Sequence, residues 1–173
     1  SRSTTRTAVT AKKTSTTTTT KTATKTTTKA VNKPTTTTTR PRVSTSGGVI
    51  GNNYPGWYGT DPYRFTARQC TSFVAWRLNS ANGVAFNVFF RGVKWGNASN
   101  WGYAARSVGY RVDNTPVRGA VAWQARGHVA WVARVNGDGT VVIEEYNWNY
   151  DQSYHTRTVP ASKFQYIHIA DLG

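Results

Sequence analysis

The chain has one cysteine and no methionine among its 173 residues. A single thiol cannot close an intrachain disulfide, so no covalent staple holds the fold. Acids are scarce too: 7 Asp and Glu stand against 22 Lys and Arg, a formal net charge of +15. No run of about 20 apolar residues occurs, which excludes a membrane-spanning helix. No signal peptide is visible either. The chain begins at Ser1 without a methionine. It is therefore expected to be a piece of a longer product from which an export signal can have been removed. The cysteine count does not fix the compartment.

The scarcities are uneven along the chain. Residues 1–46 contain no acid and no aromatic, but 21 threonines and 10 lysines or arginines. Such a segment cannot bury enough apolar surface to offset its ordering entropy, so a disordered basic Thr/Lys-rich tail is expected there. Its lysines have no aromatic platform on which a base would stack, which argues against a specific nucleic-acid binder. Two readings remain: a solvated linker, or a tether drawn to anionic polymers by spaced charge. All 22 aromatic residues follow it, in residues 47–173, a length that suits one domain.

Within that domain, "QCTSFVAWRL" places Cys70, Phe73, Val74, Arg77 and Leu78 on one face of a helix, with Asn82 and Gly83 to stop it. "NASNWGYAARSVG" predicts a second helix. Trp101, Ala104, Ala105 and Val108 share a face, Ser99 or Asn100 caps it and Gly109 ends it. Short Val-, Ile- and aromatic-rich runs follow at 119–123, 127–135 and 140–148, then in "YHTRTV" and "FQYIHI". "NGDG" (136–139) joins the second and third as a hairpin. Helices first and an antiparallel meander second predict an α+β domain.

The hairpin register can be estimated. A two-residue loop pairs Asn136 with Gly139, and a four-residue loop pairs Val135 with Thr140; both give one register. His128 then lies opposite Asn147, and Ala130 opposite Glu145. Side chains alternate along a strand, so His128, Glu145 and Asn147 share a face. Glu144 projects from the other face, so Glu144→Gln is expected to leave turnover nearly unchanged. A bulge would shift the set by one residue.

The lone Cys70 is an inert buried thiol, an intermolecular bridge or a nucleophile. A lone cysteine is more often a small buried hydrophobe, and a strand histidine more often part of the scaffold. Yet a thiolate is favoured at a helix start and beside an imidazole. Cysteine, histidine and an orienting Glu or Asn form the set that acyl transfer needs. The free N–H of a first helical residue can stabilise an oxyanion. No Cys or His pair has zinc-ligand spacing.

"RQCTSFVAWRL", "WGNASNWGYAARSVGY", "NTPVRGAVAW", "GHVAWVARVNGDGTVVIEEYNWN" and "YIHI" together resemble the CHAP family, the cysteine- and histidine-dependent amidohydrolase/peptidases. The resemblance covers about residues 50–170. It implies a papain-like α+β fold that cleaves amide bonds of bacterial peptidoglycan. Cys70 matches the nucleophile and His128 the general base and acid. Glu145 matches the acidic orienter and Asn147 the asparagine that follows it. Gln69, before the cysteine, matches a residue that helps the oxyanion site. The Glu-x-Asn spacing selects Glu145 over Glu144. Some members hold calcium just before the cysteine. Here Asp61 is kept, but Tyr63 and Ser72 stand at the matching places, and one carboxylate makes a poor calcium cage. Neither a metal nor another cofactor is expected.

The resulting expectation is a secreted or wall-associated peptidoglycan amidase or endopeptidase. The basic tail would favour anionic wall polymers. Trp101, Tyr146 and Trp148 are candidates for lining its cleft, although ordinary core packing is the commoner fate of such residues. A non-catalytic wall-binding module on the same fold is the alternative.

Overall fold

The computed structural model describes residues 48–173, and the expected tail over residues 1–46 lies outside the described residues. Two α-helices come first: α1, Cys70–Ser80, and α2, Trp101–Ser107. Six strands follow: β1, Val112–Asp113; β2, Val121–Gln124; β3, His128–Val135; β4, Thr140–Tyr146; β5, Tyr154–Pro160; and β6, Gln165–Ile167. They form one antiparallel sheet in the order β1-β6-β2-β3-β4-β5, an α+β architecture. The expected meander holds for β2 through β5. The chain then returns to the far side of β2, where β6 pairs, and β1 pairs outside it.

The first helix is buried more thoroughly than its apolar stripe predicts. Every residue from Thr71 to Leu78 is buried, because α1 packs on the sheet and is covered by the chain around Tyr54 and Phe65. Full burial of Phe73, Val74 and Leu78 contributes roughly 1.5–3 kcal/mol each. The same position is hostile to charge, and Arg77 is only 1% exposed. Its guanidinium pairs with Glu144 of β4, donates to Gly51 O (2.6 Å) and Asn53 Oδ1 (3.1 Å), and lies over the Trp76 ring. Ile50 N–H donates to the other Glu144 oxygen at 2.5 Å. Glu144 is thus a buried structural partner of Arg77, a role that its face of the strand did not reveal.

The second helix is capped otherwise than expected. Asn100 precedes it, but its carboxamide donates to Lys94 O (2.8 Å) and Trp95 O (3.2 Å) instead of serving as an acceptor cap. Gly102 allows the Trp123 ring to lie against α2, since a Cβ there would stand 2.3 Å from that ring. The Trp123 indole then donates to Ala98 O at 2.7 Å. The sheet's other face carries a second core of small and β-branched residues, including Ala122, Ala130, Val132 and Ile143. Phe164 and Tyr166, on the chain returning to β6, close it.

The hairpin corrects one expectation and keeps another. Asn136 N–H donates to Thr140 O, so three residues form the loop and the register at the tip is one residue off. A bulge between Val132 and Arg134 then takes up the extra residue. Below it Trp131 faces Glu144, the expected register. The two departures cancel before the strand reaches His128.

Candidate active site

Cys70 is the first residue of α1. The preceding Gln69 is extended, with φ −106°, and accepts the Phe73 N–H through its own carbonyl. The residue is partly exposed and forms no disulfide. It therefore sits at the positive end of an 11-residue helix, where negative charge is stabilised. Ser72, two residues into the helix, donates to the buried Asp61 at 2.5 Å and shares a 2.6 Å bond with Tyr54 Oη. Asp61 also accepts the N–H groups of Tyr63 and Phe65. Burial raises the Asp61 carboxyl above its ordinary range, and these hydrogen bonds oppose the rise.

β3 starts at His128. Its Nε2 lies 2.7 Å from Glu145 Oε2, which leaves Nδ1 for Cys70. Burial disfavours the imidazolium. Hydrogen bonds to Cys70 and Glu145, and their charges, outweigh that cost and raise the His128 pKa to about 9. Glu145 is fully buried at 0% exposure. Burial pushes its carboxyl up, while His128 and Arg157 pull it further down, so the group is held below its ordinary range. Arg157 Nη2 donates to Glu145 Oε2 at 3.0 Å, and its Nε bonds the other oxygen.

Arg157 escaped the sequence reading. The signal was present in strand alternation. His155 pairs across from Glu145 on β4, so Arg157, two residues on, shares that face. It could be read only with the β4–β5 register in hand. The guanidinium also lies 3.7 Å over the Trp148 ring, which meets His128 edge-on at 4.9 Å between centroids.

The structure sorts the expected site residues. Cys70, His128 and Glu145 converge. Trp148 lines the groove beside them. Trp101 does not: it is fully buried against Phe65, Phe86 and Trp95, and its indole donates to Gly96 O. Tyr146 is likewise in the core, packed on Tyr54 and Phe73. Asn147 departs from the expected geometry. It lies beyond the end of β4 with φ +59°, and this left-handed turn carries its side chain to Gln69 rather than His128.

The groove over Cys70 encloses about 570 Å³ and is lined by Gln69, Gln124, Arg126, His128, Trp148 and Tyr150. Gln124, Arg126 and Trp148 continue into a second hollow of about 700 Å³ that reaches Lys163. Cys70 also lines a smaller hollow of about 320 Å³, walled by Thr66, Thr71, Asn97 and Ser99. Cys70 therefore borders two adjoining hollows, and the larger one continues toward Lys163.

The α+β domain thus brings together a partly exposed cysteine at a helix start, an imidazole and a buried carboxylate. The family model for the CHAP domain matches residues 58–147, just over half of the chain, and the chain belongs to that family. Two staphylococcal secretory antigens of Staphylococcus aureus are similar over 138 residues. SsaA2 is 38% identical across 76% of this chain and 47% of its own length. SsaA is 37% identical across 76% and 49%. The chain thus spans about half the length of the curated relatives it matches. A crystal structure of an N-acetylmuramoyl-L-alanine amidase from the same species shares 34% identity. The match has a TM-score of 0.49 and covers 58% of this chain and 30% of that one.

Proposed function

We propose that this domain is a secreted or wall-associated cysteine hydrolase that cleaves an amide bond of peptidoglycan. The bond is either the one joining peptide to glycan or one within the peptide. The observation that carries the reading is His128 standing between Cys70 and the buried Glu145. Family membership and the names of the secretory relatives support the substrate and the location.

The chemistry follows from the geometry. The Cys70 thiolate attacks the amide carbonyl carbon and forms a C–S bond. The carbonyl oxygen takes up negative charge beside the Cys70 N–H and the Gln69 carboxamide. The His128 imidazolium gives its proton to the leaving nitrogen as the C–N bond breaks. A water then attacks the thioester, and neutral His128 takes its proton. The products are a carboxylic acid, an amine and the restored thiolate–imidazolium pair. Glu145 keeps the imidazole oriented and favours its charged form throughout.

The test compares wild type with Cys70→Ala and Cys70→Ser on purified peptidoglycan, counting new amine ends by mass spectrometry. Both variants are expected to fold with an unchanged melting temperature and to lose at least about 10³-fold in turnover. Activity equal to wild type in either variant would overturn Cys70 as the nucleophile, and wall binding with no hydrolysis in the wild type itself would favour a non-catalytic wall-binding domain. The identity of the new amine decides between amidase and endopeptidase.

A further inference from the structure

Asn147 and Gln69 are joined by a hydrogen bond whose direction can be worked out. The Gln152 backbone N–H points at one end of the Asn147 carboxamide, at 2.8 Å. A backbone N–H only donates, so that end is Oδ1 and the other is Nδ2. Nδ2 must in turn donate, and its partner, 2.7 Å away, is Gln69 Oε1. The amide of Gln69 thereby turns its NH₂ away from Asn147. No protein acceptor among the described residues takes that NH₂. Gln69 lines both hollows that Cys70 lines.

We propose that Asn147 is a positioning residue that sets the polarity of the Gln69 amide, so that the groove beside Cys70 receives an N–H donor rather than a carbonyl oxygen. The proposal rests on the reading of Cys70 as the nucleophile. A carboxamide has nearly the same shape either way round, so packing alone does not choose the direction. The choice is made by the Gln152 N–H, three bonds of the relay away from the reacting carbonyl. The surrounding turn holds the relay still. Asn147 N–H donates to Ser153 O at 2.8 Å, and Arg68 Nη2 reaches Gln152 O at 3.2 Å. Asparagine also suits the left-handed backbone at this position, with φ +59°. The role differs from that of Glu145, which acts on the imidazole.

The decisive variant is Asn147→Asp. It tolerates the same backbone and still accepts from Gln152, but it offers Gln69 an oxygen. Gln69 must then turn its NH₂ toward residue 147 and present Oε1 to the groove, where it repels the developing oxyanion. Turnover is expected to fall roughly 10²–10³-fold. Asn147→Ala, which leaves Gln69 free to choose, should lose about tenfold. Alkylation of Cys70 by iodoacetamide forms no oxyanion, so its rate and pH profile should stay within about twofold of wild type in both variants. In a Gln69→Ala background the two Asn147 substitutions should become equivalent. Wild-type turnover in Asn147→Asp overturns the proposal, as does an undiminished Asp penalty without Gln69. A displaced alkylation pH profile also overturns it, since Asn147 would then act on His128. If Cys70→Ala keeps full activity, the nucleophile reading fails and takes this proposal with it. If Cys70→Ala is inert and Asn147→Asp is not impaired, only the positioning role falls.

Discussion

Glu144 and Glu145 are neighbours in β4, both fully buried, and each is paired with an arginine. Their surroundings separate them. Glu144 points toward α1, where Arg77 is sealed at 1% exposure and the backbone of residues 50 and 51 completes the pairing. Glu145 points to the opposite face. There Arg157 is 26% exposed, and the third partner is an imidazole that opens on a groove. Burial and ion pairing are therefore common to both carboxylates and identify neither as functional. The distinguishing feature is a titratable neighbour with access to solvent. One carboxylate pairs inside the core, and the other pairs with an imidazole at the groove.

This contrast can be broken from either side. The largest effect is expected from Arg77→Ala or Glu144→Gln. Each strands a buried partner and should cost roughly 3–5 kcal/mol in denaturant unfolding, with turnover per folded molecule unchanged. Replacing both with apolar residues, as in Arg77→Met with Glu144→Leu, should recover most of that loss. Next comes Glu145→Gln, expected to lower turnover roughly 10²-fold while Cys70 still alkylates, more slowly. If the Glu144 variant instead proved stable and inert, the assignment of the two faces would be reversed.

A third test uses pH. His128 is raised from an ordinary 6.5 to about 9, so its protonated form is favoured by folding. The corresponding stability is complete below the unfolded value and is lost as pH rises through about 9. The alkaline limb of turnover should fall in the same range, as His128 loses the proton it gives to the leaving amine. In Glu145→Gln that limb should move to lower pH, and a limb that stayed in place would remove Glu145 from the proton path. The smallest effect is expected of Arg157→Gln. Its guanidinium is partly solvated, and turnover should fall less than about tenfold while the alkaline limb moves slightly upward, as Glu145 loses a competitor for its charge.

How far the sequence reveals this arrangement depends on the range of the interactions involved. The spacing around Cys70 shows α1 and its start, because helix periodicity is local. His128 and Glu145 could be placed on one face by counting back from the hairpin. The count reached the correct pairing because the three-residue loop and the bulge offset each other. Asn147 was misjudged because alternation stops where β4 ends, and a single left-handed residue redirects a side chain without any change of composition. The insertion of β6 between β1 and β2 was illegible for another reason: strand partners distant in sequence are chosen by the closing of the second core around Phe164 and Tyr166. The role of Arg77 was hidden by its helical position, which reads equally well as part of an apolar stripe.

Trp148 stands in contact with both partners of Glu145, edge-on to His128 and beneath the guanidinium of Arg157. An imidazolium quenches indole emission far more strongly than a neutral imidazole does. The groove therefore carries its own optical indicator. Among the seven tryptophans of the chain, this one should brighten as His128 deprotonates, so the ionisation of the site can be followed by steady-state fluorescence with no substrate present. Occupation of the groove by a ligand would register on the same ring.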